Sequence, residues 1–159
     1  LVRCTLGGPA ERTYDDEEDM KWCASEALQV LGEAWVVLRF CLLTDTYGPG
    51  ASFLGETHGY IEASLFERTA IGVAFDGEAK VTVKGATFVD MYECAFWDMP
   101  VDNDSDDPPL TQVELLGNAV HGMVWADHQR PGGLAMRHNN FNETFPEQWN
   151  EVYRLEGPA

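Results

Sequence analysis

From residue 34 onward this chain reads as a succession of short β-type segments cut by Gly, Asp, Asn and Pro. At least two of these segments are apolar on both faces. In Ala119–Ala126 one face carries Ala119, His121, Met123 and Trp125, and the other Val120, Gly122, Val124 and Ala126. Ala34–Leu43 is similar, broken only by Arg39. A one-sided antiparallel sheet would alternate apolar with polar residues. Something must therefore cover the second face, whether a helix of the same chain or another subunit.

Segments rich in Val, Ile, Phe, Trp and Thr suggest strands near 34–43, 58–67, 69–75, 78–84, 86–97, 110–116, 119–126, 134–138 and 149–155. Asp76-Gly77 and Gly117-Asn118 stand between strands as hairpin turns would. Short connections of this kind favour antiparallel pairing, because parallel strands need long crossovers. Ahead of the strands, Thr13 to Asp16 resembles a capping box, with Asp15–Asp19 in the first turn where the helix dipole favours acid. Met20, Cys23, Ala24, Ala27, Leu28 and Leu31 then recur at helical spacing and Gly32 supplies a stop, which predicts a helix over 14–31.

The expected fold class is α+β and β-rich: one N-terminal amphipathic helix, then about eight mainly antiparallel strands in a sandwich or curled barrel. Residues 1–12 read as an irregular arm and 13–159 as a single domain. No internal repeat is visible. A chain of 159 residues, 45% apolar and 23% charged, is long enough to bury a core.

Charge narrows the partners. Twenty-seven Asp and Glu against ten Lys and Arg give a net −17. Phosphate backbones and anionic membrane surfaces repel such a chain, so nucleic acid is excluded as a partner. The longest apolar run falls far short of a spanning helix, so membrane insertion is not expected. The chain begins with Leu1 rather than Met, as removal of a targeting segment or a late start would produce.

Three groups of residues suggest chemistry. Asp102, Asp104 and Asp106 alternate as the first ligands of a calcium loop do, but Asp107 stands where the turn Gly belongs and Val113 where the last ligand belongs. A solvated acidic loop is the simpler reading; a divalent cation is the one cofactor to consider, and none is otherwise predicted. His121, Asp127, His128 and His138 form the densest set of acid–base and ligand types. Such a set would suit a metal with an open site or a His–Asp general base. Two sequons, at Asn103 and Asn142, would accept glycans, and their use would place the chain outside the cell; the compartment is otherwise open.

Cys4, Cys23, Cys41 and Cys94 contain no C-x-x-C pair, so a zinc ribbon is absent. They permit two disulfides in any of three connectivities, but Cys41 and Cys94 sit in apolar segments and read as buried thiols. Trp22 and Trp35 read as core. No hydrolase elbow, phosphate loop or dinucleotide fingerprint occurs. The expected role is a non-enzymatic structural or binding subunit that assembles with itself or a protein partner through apolar sheet faces. A small-molecule enzyme with a pocket in the barrel is the alternative.

Overall fold

A computed structural model of the chain describes residues 1–7, 26–98, 111–122, 124 and 133–141. Among these residues there is no helix, and every strand pairing is parallel. The chain coils into a β-solenoid of about four turns. One face stacks β3 (Trp35–Arg39), β5 (His58–Glu62), β7 (Lys80–Lys84), β10 (Gln112–Leu116) and β12 (Gly133–Arg137). Trp35 lies on His58, His58 on Lys80, Lys80 on Gln112 and Gln112 on Gly133, so successive rungs advance by 23, 22, 32 and 21 residues.

The long strands β4 (Leu42–Leu54) and β6 (Leu65–Asp76) each bend across the other two faces. Beside their first halves lie β1 (Thr5–Gly7), β8 (Thr87–Val89), β11 (Ala119–Val120) and β13 (Asn140–Phe141). Beside their second halves lie β2 (Leu28–Leu31) and β9 (Cys94–Asp98).

Each rung turns its corners on single residues in the left-handed backbone region. Arg3, Phe40, Ala63, Gly85, Gly117 and His138 form the first such column, with φ between 46° and 61°. Asp45, Arg68, Asp90 and Gly122 form the second, and Gly32, Gly55 and Gly77 the third. Glycine suits the third column because a positive φ carries no Cβ penalty there. The position after the first corner points inward and is small or polar: Cys4, Cys41, Ser64, Ala86, Asn118 and Asn139. Asn118 and Asn139 are buried and bond from rung to rung. Ala86 N–H donates to Asn118 Oδ1 at 2.9 Å and Asn118 N–H to Asn139 Oδ1 at 2.9 Å. Their side-chain amides donate down to Val83 O and Leu115 O, both at 2.9 Å.

Inside the coil, Leu43, Phe66, Phe88 and Val120 stack in one fully buried column. Phe66 and Phe88 stack with centroids 4.7 Å apart, and Phe96 meets Phe88 edge-on at 4.8 Å. Such offset and edge contacts add to the burial of the rings.

Five expectations are overturned. The fold is all-strand, not α+β, and the strands are parallel, not antiparallel. Leu28–Leu31, expected to end the helix, is a strand paired with Ala51–Leu54; residues 14–25 of that helix lie outside the described residues. Asp76-Gly77 and Gly117-Asn118 are corners rather than hairpins. A type I′ turn needs positive φ at both central residues, whereas only Gly77 and Gly117 have it here. A repeat is present, too. An apolar residue, then a corner, a small inward residue and a second apolar residue recur at Leu38–Leu43, Ile61–Phe66, Val83–Phe88, Leu115–Val120 and Met136–Phe141.

Candidate functional site

Of the expected catalytic residues, His121 and His138 stand apart. His121 is exposed beside the second corner, its N–H bonded to Phe88 O at 2.9 Å. His138 is exposed in the first corner column, with φ 55°. β11 and the corner residues that flank it separate the two positions, a run of about 13 Å at strand rise. An imidazole pair across that gap cannot share a proton or a metal. Asp127 and His128 lie outside the described residues, as do Asp102, Asp104, Asp106, Asn103 and Asn142. Among the described residues no group of three or more His, Cys, Asp or Glu is placed to hold a metal. The acidic block falls in the 32-residue rung, between Asp98 and Thr111.

Surface apolar residues are concentrated elsewhere. Trp35 is 69% exposed, and Phe40, Leu31, Leu1 and Val2 each more than half exposed; all five belong to the first two rungs. The cause is strand phase. Arg39 points outward beside Glu62, to which it pairs at 2.9 Å, and strand period two puts Val37 and Trp35 on the same side. Val36 and Leu38 then point inward, and Leu38 is fully buried. Trp35, expected in the core, is therefore a surface residue. Arg39 was the signal that could have found it. The Arg39 guanidinium also lies 5.7 Å from the centre of the Tyr60 ring on the next rung.

Farther along the same face a shallow depression of about 430 Å³ lies over β7, β10 and β12. Thr82, Gln112 and Glu114 supply its polar groups, with Thr82 Oγ1 3.5 Å from Glu114 Oε2. Among the described residues no histidine, cysteine or serine lines it.

Two charged arrangements are built into corners. At the second corner Arg68 sits over Asp45 and binds it through Nε at 2.8 Å and Nη2 at 3.0 Å, while Nη1 pairs with Glu67 at 2.7 Å. Thr44 Oγ1 donates to Asp45 Oδ2 at 2.8 Å. Asp45 is almost fully buried, and the Arg68 hydrogen bonds hold its carboxyl below the usual range. At the third corner Asp98 is 2% exposed in an inward column whose lower members are Val30, Phe53 and Phe75. Thr111 Oγ1 donates to its Oδ2 at 2.9 Å, and its Oδ1 is buried with no hydrogen-bond partner. Burial, reinforced by the Asp76 charge, pushes the Asp98 carboxyl up to about 6 against the Thr111 hydrogen bond.

No protein-family model, curated protein or solved structure matches the chain. Any functional reading therefore comes from the surface itself.

Proposed function

We propose that the chain is a non-catalytic structural or binding subunit that assembles through the apolar surface of its first two rungs. One observation carries the reading: six of the seven large apolar side chains that stand exposed among the described residues lie there, Trp35 foremost. A polar solvated surface would not concentrate such residues in one part of a coil, and clustered exposed apolar side chains mark interaction sites. Trp is also the residue type most enriched at interface hot spots.

The net charge shapes the partner. At −17 two copies repel each other at low salt, and nucleic acid is disfavoured. No helix of the described residues is long and apolar enough to cross a membrane.

Light scattering after size exclusion tests the proposal across protein concentration and ionic strength. Association should strengthen as salt screens the repulsion, and Trp35→Ser combined with Phe40→Ser should abolish it. A wild-type chain that stays monomeric under all these conditions contradicts self-assembly through this surface.

A further inference from the structure

The first corner column begins with two cysteines on adjacent rungs. Val2 pairs with Arg39 and Thr5 with Leu42, the same offset on both sides, so Cys4 lies directly over Cys41. Backbone bonds pin the pair from either side: Arg3 N–H donates to Arg39 O at 2.9 Å, and Leu42 N–H to Cys4 O at 2.8 Å. In-register parallel neighbours stand about 4.8 Å apart. That spacing falls inside the Cα separation a disulfide accepts, roughly 4.4–6.8 Å.

The thiols are oriented alike. Cys4 Sγ donates to Val2 O at 3.5 Å and Cys41 Sγ to Arg39 O at 3.3 Å, each two residues back. Cys41 Sγ also lies 3.7 Å from Leu1 O, so it already reaches toward the rung that carries Cys4. Above them the column continues with Ser64 and Ala86, which hold no thiol. Cys94 is buried on β9, where its paired neighbour is Ile71.

We propose that Cys4 and Cys41 form a reversible disulfide that staples the segment Leu1–Gly7 to the first full rung. The oxidant is a small-molecule disulfide such as oxidised glutathione. Cys4 is the more exposed thiol, and its thiolate attacks one sulfur of the oxidant, releasing one glutathione thiolate and leaving a mixed disulfide. The Cys41 thiolate then attacks Cys4 Sγ and displaces the second glutathione. Two protein thiols lose two electrons and two protons, and the small disulfide leaves as two thiols.

The staple would fix β1, a strand of only three residues, against β4. It stands independently of assembly through the apolar surface.

The test is oxidation of the full chain in glutathione buffers of graded ratio, read by intact mass, peptide mapping and melting temperature. The expected result is loss of two hydrogens, a linked peptide pair containing Cys4 and Cys41, and a Tm higher by several degrees. Cys4→Ser and Cys41→Ser should each remove both the link and the redox dependence of Tm. Ser64 already occupies the same column, so serine fits the site. Mapping of the wild-type chain decides the matter even if a variant folds poorly. Both thiols remaining free to alkylation at every ratio, or a link from Cys4 to a different cysteine, would overturn the proposal.

Discussion

Asn118 shows how much a single residue carries in a coil of this kind. Its side chain accepts from Ala86 N–H and donates to Val83 O and Asn139 Oδ1, all out of water. Asn118→Ala would strand a buried donor and a buried acceptor and should cost about 2–4 kcal/mol, read by denaturant unfolding. The corner residues make the opposite prediction. Ala63 holds φ 46°, which strains any residue with a Cβ, and it is exposed. Ala63→Gly should therefore stabilise by about 1 kcal/mol; a clear loss of stability would show that the corner is not left-handed. Asp98 gives a pH dependence. Its folded carboxyl is raised to about 6 from 3.8, so the folded state holds the proton more tightly. That contribution is complete below about pH 4 and is lost as pH rises through 6, at most about 3 kcal/mol. Asp45 has the reverse sign, its contribution being present above the ordinary carboxylate range and lost as pH falls through its lowered value. Melting temperature should decline from pH 5 to 7 in the wild type and flatten in Asp98→Asn; parallel profiles would remove Asp98 as the cause.

At the scale of elements, most strand positions were legible and their pairing was not. Segments at 58–67, 78–84, 110–116 and 134–138 all overlap observed strands. What misled was the phase of burial. Along β3 the inward residues are Val36 and Leu38, but the left-handed Phe40 resets the alternation so that Cys41 and Leu43 point inward next. A strand read straight through such a corner looks apolar on both faces. The same odd step occurs at Gly117, where Leu115 and then Asn118 and Val120 are buried. One left-handed residue bends the chain onward, two reverse it, and Asp76-Gly77 supplies one. Unequal rungs of 23, 22, 32 and 21 residues also blur the period that would reveal the coil. Between the elements, aromatic rings pack from rung to rung. Phe88 touches both Phe66 and Phe96, is fully buried, and when cut to Ala should cost about 3–5 kcal/mol in unfolding free energy.

For the whole molecule, a parallel coil answers the problem that both-sided apolar strands posed. The crossover that parallel pairing requires is the rest of each rung, so no covering helix is needed to join the strands. The interior absorbs one set of apolar residues, and the exposed set is concentrated in the first two rungs, where assembly is proposed. Asp15–Asp19 and Asp102–Asp107 both lie outside the described residues. The candidate catalytic set was legible only as residue types, since the order of residues cannot show that His121 and His138 turn different corners. Every placement on this surface depends on the parallel, in-register stack. Distances between spin labels at outward positions test it most directly, in a chain whose four cysteines are replaced by serine. With one label at Val37 and the second at Thr82, Glu114 or Ala135, the solenoid predicts backbone separations of about 10, 14 and 19 Å in that order. Separations that do not lengthen in that sequence would contradict the coil.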